Sequence, residues 1–291
     1  MTRAALAAAC VLVTLGCYAQ NSEAVSVESP VARQEEDVRQ FIELDRVAAS
    51  IDANAGVAAV WPDLRQFLPP AERGWEVVRD EVTFTDVPGL MERLVILRSG
   101  EAQLTIDIFV SSRGPRPALD QLVDTMVATS IGYRKFQKGP ADIGQVCFVL
   151  PVTNPTLLFV NRNVFVRLRR DNHSMDLVPV AKALSAFMDA NVAPKLAARL
   201  PMLAGTSVTP ESPAVNASAR LALQLPAGIE PAAVMWTLAP EVDRDVVDTR
   251  DQGADFLEFR VTRPGKVAMP VWVADRRTLL SSAAPVSVEA R

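Results

Sequence analysis

The sequence predicts an α+β domain, an antiparallel sheet with helices on one face, followed by an all-β sandwich. Three observations carry this. Residues 103–110 and 164–170 alternate apolar and polar side chains, and each stretch precedes a run of helical period. A segment containing Pro194, Pro201, Pro210 and Pro213 then breaks the pattern. Beyond it, short alternating stretches run to the last residue with no helical period.

The first residues stand apart. Arg3 is the only charge before position 20, an apolar run fills 4–15, and Gly16-Cys17-Tyr18-Ala19 follows. This order is the n-region, h-region and small-residue cleavage pattern of a secretory signal over 1–19, too short to span a bilayer as a mature helix. Leu15-Gly16-Cys17 resembles the lipobox of bacterial lipoproteins, which implies lipidation of Cys17. Thr14 and Leu15 depart from that motif, where Leu and then a small residue are usual. The alternative is cleavage after Ala19, with Cys17 and Ala19 as the small pair. On either reading the chain is expected to be exported to the periplasm or cell surface, meeting a membrane only through such an anchor.

The composition is that of an ordinary globular protein. Of 291 residues, 49% are hydrophobic and 22% charged, enough for about two domains with real cores. A net charge of −4 lacks the basic excess of a nucleic-acid binder. With Cys10 and Cys17 in the signal segment, Cys147 is the one internal thiol, and no disulfide is expected in the mature body. Between Val146 and Phe148 it reads as a small buried side chain.

Residues 20–34 are polar and patternless and read as a tether. The α+β domain is placed at 35–193. Val38, Phe41, Leu44, Val47, Ala48 and Ile51 predict one helix over 35–53, ended by Asn54-Ala55-Gly56. A shorter helix over 62–68 lies between Trp61 and Trp75, which read as packing anchors. Strands follow at 76–85, 93–97 and 103–110. Pro115 and Pro117 then introduce a helix to about residue 130, with Leu119, Leu122, Val123, Met126 and Val127 as its stripe.

Residues 145–170 give a strand, a turn with proline, and two strands joined at Asn161-Arg162-Asn163, where asparagine suits left-handed backbone. Val164, Val166 and Leu168 share one face, and Phe165, Arg167 and Arg169 the other. Asp176 caps a helix that runs through Met188. Leu104, Ile106 and Ile108 match Val164, Val166 and Leu168 sixty positions on. The stripe Leu119, Leu122, Val123, Met126 matches Leu177, Val180, Ala181, Leu184 fifty-eight on. The match is either a ββα duplication or a chance likeness. Each hairpin is expected to pack under its own helix, both helices on one face.

A linker is placed at 194–213 and the sandwich at 214–291, as two separable domains. Strands are read at 220–225, 233–238, 256–262, 266–274 and 286–289. Ala233-Val234-Met235-Trp236-Thr237, as a core-Trp strand, and Gly265-Lys266-Val267, opening a penultimate one, resemble bacterial immunoglobulin-like domains of secreted proteins. The resemblance covers this last third alone and implies architecture, nothing more. Trp236 alternates with Val234 and Leu238 and is expected inside. Trp272, beside Pro270, is expected to point outward from an edge strand, covered by a loop or the neighbouring domain, or open to a partner.

Chemistry is thinly marked. His173 is the one histidine, in a polar loop before a helix, and no Gly-x-Ser-x-Gly elbow accompanies it. Histidine and cysteine counts exclude metal sites built on them, and no cofactor motif is present. Glu241, Asp243, Asp245, Asp248 and Asp251 crowd one stretch without the Gly and terminal Glu of an EF-hand, and read as an acidic loop. The candidate ligand-binding residues are Arg162, Arg167, Arg169 and Arg170 on the hairpin, together with Trp272. Their guanidiniums suit carboxylate or phosphate groups on an anionic glycan, a lipid head group or an envelope protein. The expectation is an exported envelope protein with a non-catalytic binding role; the alternative is an envelope hydrolase using carboxylates that the sequence does not single out.

Overall fold

The structure, a computed structural model, describes residues 29–51, 56–57, 63–129, 132–152, 154–172, 174–193 and 203–291. The stretch read as a signal with Cys17, most of that read as a tether, Trp61, His173 and part of the stretch read as a linker lie outside the described residues. No helix among the described residues is long and apolar enough to cross a membrane.

The first helix, α1 (Pro30–Phe41), starts inside the stretch read as tether. Ser29 Oγ accepts a hydrogen bond from the Ala32 N–H at 3.1 Å, and Pro30 occupies the first turn, where its missing N–H has no consequence. The single helix expected over 35–53 is broken at Glu43, whose backbone is left-handed (φ 57°), and resumes as α2 (Leu44–Ser50). The short strand β1 (Gly56–Val57) follows, and 3₁₀ turns at Leu64–Phe67 and Pro70–Glu72 lead into the main sheet.

That sheet is built from β2 (Glu76–Phe84), β3 (Leu90–Ser99) and β4 (Ala102–Ser111), then, after α3 (Arg116–Val127), from β5 (Gln137–Lys138), β6 (Val146–Leu150), β7 (Thr156–Asn161) and β8 (Val164–Asp171). Helix α4 (Leu177–Ala190) comes next, then β9 (Val192–Ala193), which pairs with β1. The seven strands are antiparallel in the order β2-β3-β4-β8-β7-β6-β5. The two hairpins therefore meet at the centre, with Ile106 opposite Leu168 and Ile108 opposite Val166.

Helices cover both faces of this sheet, correcting the expectation of one. Leu104, Ile106, Ile108, Val164, Val166 and Leu168 pack in one cluster with Leu177, Val180, Ala181 and Leu184 of α4. Phe109, Phe165, Leu158 and Val160 pack on the opposite face with Leu119, Leu122, Val123 and Met126 of α3 and with Val38 of α1. The physical reason is that the central strands are apolar on both sides: Phe109 and Phe165 interrupt the rows read as polar, and each needs cover. Helix α3 thus turns its back on the alternating row of its own hairpin. With α3 and α4 on opposite faces of antiparallel neighbours, no rotation relates the two ββα units.

The remainder is further antiparallel sheet. The strands are β10 (Gly205–Thr209), β11 (Ser218–Gln224), β12 (Val234–Leu238), β13 (Val247–Gln252), β14 (Phe256–Val261), β15 (Gly265–Ala268), β16 (Val271–Asp275), β17 (Ser281–Ala284) and β18 (Ser287–Ala290). They form sheets β10-β11-β14-β13, β12-β16-β17 and β15-β18. Leu221, Trp236, Phe259, Val273 and Val288 belong to one apolar core that all three share. The strand expected over 266–274 is two strands in different sheets, parted at Met269-Pro270. The acidic stretch read as loop contributes Asp248 and Asp251 to β13. This region also completes the core of the first: Ala274, Leu279 and Leu280 join the α4-side cluster of the main sheet, and the Ser281 N–H donates to Ser112 Oγ at 2.6 Å.

Candidate functional site

The β7–β8 turn is built differently from its reading. The left-handed residue is Arg162 (φ 57°), while the two asparagines beside it are buried. Asn161 Nδ2 donates to Ser185 Oγ on α4 at 3.0 Å, and Asn163 Nδ2 donates to the Ser111 carbonyl at 2.6 Å. The asparagines therefore tie the turn to α4 and to the end of β4, and Arg162 takes the strained position. Its Nε lies 3.6 Å from Asp189.

From there the strand deals its arginines to opposite faces. Arg167 sits across from Asp107 of β4, Nε to Oδ2 at 2.5 Å, with Asp107 only 2% exposed. Glu92 of β3 is diagonal to Asp107 on the same face. Burial raises the Glu92 pKa, Asp107 adds to the rise, and Arg167 and Arg79 partly oppose it. Arg169 is exposed, its Nε 3.9 Å from Asp171. Helix α3 covers Phe109, Phe165 and Leu158, then stops short. Beside it Leu94, Ile96 and Gln103 stay half-buried, with Arg98 exposed, and neither Leu94 nor Ile96 belongs to an apolar core. This quarter of the sheet is a flat surface of mixed charge.

Arg170 points to the other face, opposite Leu104. It lines a cleft of about 360 Å³ between the β6–β7 connection and the start of α4, with Val149, Pro151, Val152, Pro155, Asp176, Leu177 and Val178. Its Nε and Nη1 are enclosed and make no hydrogen bond. The four candidate arginines are accordingly spread over three places rather than gathered in one patch. Trp272 is in a fourth place. It lies on β16, the middle strand of its sheet and not an edge, and its ring is buried against Phe84 of β2.

The other marked residues are quiet. Burial, with a smaller contribution from Asp142, pushes the Cys147 thiol up to about 12. Asp243 is engaged locally: its Oδ1 accepts from the Asp245 N–H and its Oδ2 faces Arg263 at 3.7 Å. Among the described residues no group of three or more His, Cys, Asp or Glu is placed to hold a metal ion. The alternation over 103–110 sets Asp107 on one side with Thr105 and Phe109, but its partnership with Arg167 is not visible there, because it depends on β4 pairing with β8. No family model matches the chain, and neither the curated proteins nor the solved structures contain a significant match.

Proposed function

We propose that the chain is an exported bacterial envelope protein with a non-catalytic binding role, its last third an immunoglobulin-like β-sandwich. The observation that carries the reading is the flat quarter of the main sheet beside α3. There Arg169 and Arg98 stand exposed among half-buried Leu94, Ile96 and Gln103, a surface suited to docking rather than to enclosing a substrate. An anionic glycan, a lipid head group or an acidic envelope protein fits its two exposed guanidiniums. The common core shared by the C-terminal sheets, with Trp236 inside, supports the sandwich.

Export is tested on protein from its native host by mass spectrometry of the N-terminus. A chain beginning at Cys17 with a diacylglycerol adduct selects the lipoprotein, one beginning after Ala19 the soluble form, and one beginning at Met1 overturns export. The binding surface is tested by co-sedimentation with envelope material. Arg98→Glu with Arg169→Glu should weaken retention several-fold without altering the melting temperature, and unchanged retention overturns the assignment. The second reading, an envelope hydrolase, is favoured by one observation, the raised pKa of Glu92 beside Asp107. Hydrolysis of envelope glycan that disappears in Glu92→Gln would select it.

A further inference from the structure

We propose that β2, the open edge of the main sheet, is an interaction surface for a second copy of this chain, the two β2 strands pairing antiparallel across a two-fold axis. Strand β2 ends the strand order, so one side of its backbone has no partner strand among the described residues. It is nine residues long, and every residue from Glu76 to Glu81 is exposed, Val77 and Val78 among them. An edge of this kind can take a further strand through its free N–H and C=O groups. Charges along an edge ordinarily keep other strands away. Here their order favours one partner, a copy of the same strand.

Two-fold pairing makes residue i face residue j while j faces i, and residues directly opposite share one face of the sheet. Arg79 and Glu81 share a face: β3 sets Ile96 and Leu94 opposite them, with buried Val95 between. Their side chains form an ion pair within the strand. Three registers centre the axis within this segment. Centred on Arg79 the axis opposes two arginines, and centred on Glu81 it opposes two glutamates. Centred on Asp80 it sets each Arg79 opposite the partner's Glu81, so four charges alternate around a square. Val78 then stands opposite the partner's Val82. The two Asp80 carboxylates meet near the axis, but each is held by its own Arg93, at 2.8 Å to Nε and 2.7 Å to Nη2, which offsets their charge. The β-bulge between Val77 and Arg79 limits the regular ladder to residues 78–82 of each copy. Trp272 of the C-terminal sheets meets β2 at Phe84, beyond that ladder, and the antiparallel order sets these contacts at opposite ends. The axis is perpendicular to the sheet, so both copies turn Arg98 and Arg169 to the same side, a consequence that alone rests on the docking surface proposed above.

The test is sedimentation velocity of the full chain over a wide range of concentration. A reversible shift from monomer to dimer mass is expected as concentration rises. Arg79→Glu and Glu81→Arg each put like charges opposite one another, and each should weaken dimerisation about tenfold or more. Both side chains are exposed, so neither change should alter the melting temperature. An equal mixture of the two variants sets the acidic pair of one copy against the basic pair of the other and should dimerise about as tightly as wild type. That rescue guards against a folding defect, because neither variant is repaired by anything except its complement. The proposal is overturned if the wild-type chain stays monomeric throughout, if either single variant dimerises as wild type does, or if the mixture does not. Dimer mass is read without envelope material and co-sedimentation with it, so failure here and failure of the docking surface are distinguishable.

Discussion

The indole of Trp272 lies 6.1 Å, centroid to centroid, from the ring of Phe84, tilted by 50° to it. One ring belongs to β16 and the other to β2, so this pair joins the C-terminal sheets to the edge of the main one. Trp272 is 4% exposed and Trp236 is 5% exposed, though they lie on opposite faces of their sheet. In the intact chain Trp236→Ala and Trp272→Ala should both cost about 3–5 kcal/mol in denaturant unfolding. A double-mutant cycle with Phe84→Ala should return a coupling of about 0.5–1.5 kcal/mol. A coupling near zero would mean that the two rings do not support one another.

A second expectation concerns Asp107 and Arg167. Asp107 is enclosed while the Arg167 side chain is 36% exposed, so the pair is half screened and worth less than a fully buried one. Arg167→Met leaves the carboxylate buried without its partner and should destabilise by about 1–3 kcal/mol. Adding Asp107→Leu should recover part of that loss. Equal losses in the single and double variants would show that the carboxylate is not the source of the penalty.

Glu92 gives a dependence on pH with a definite sign. Its folded pKa is raised above the ordinary 4.5, chiefly by burial and then by Asp107. Between 4.5 and that raised value the folded chain holds a proton that the unfolded chain has released. Stability is therefore lost as pH rises through this window. Glu92→Gln carries no charge to bury, so it should be more stable than wild type near neutrality and equal to it in acid below 4.5. Thermal melts across that range would show the two curves converging. A variant less stable at neutral pH would reverse the argument.

The Cys147 thiol, pushed up to about 12, carries almost no thiolate at pH 8 and is buried as well. A thiol reagent should label it only as fast as the protein unfolds. Rapid labelling of the native protein, with the melting temperature unchanged, would contradict both its burial and its raised pKa.

A glycine gives the last expectation. Gly144 has φ +59°, and a Cβ there would run into the carbonyl oxygen of Val160 on the neighbouring strand. Gly144→Ala therefore combines a left-handed backbone with a clash against backbone that has little room to move. It should cost more than the roughly 1 kcal/mol of strain alone, measured by chemical denaturation. Gly100→Ala, also at positive φ (+59°) but with open space around it, should cost less.

The alternation on β8 was legible because its register is local. Val164, Val166 and Leu168 do form one buried row, and the faces of Trp236 and Trp272 follow from the same rule. What the sequence hid was partnership at a distance. Whether Arg167 meets solvent or Asp107 depends on β4 lying beside β8, sixty residues away. The second helical layer was missed because Phe109 and Phe165 were single aromatic residues in rows otherwise polar. Strand β13 was missed for a related reason: it is the end strand of its sheet, so its residues after Val247 are exposed and polar. Pro270 suggested an edge, yet it stands just before β16 and leaves that strand free to pair on both sides.

The shared cluster of Ala274, Leu279 and Leu280 with the main sheet sets an order on the birth of this protein. As the chain emerges from its N-terminus, strands β2 to β8 can pair and α3 and α4 can settle. The apolar surface around Phe84 and Val95 nonetheless waits for residues near the far end of the chain. Until they arrive, the first-made half is an unfinished body with an open apolar side. A chain cut short before β16 should therefore leave a sticky intermediate in place of a small stable fragment.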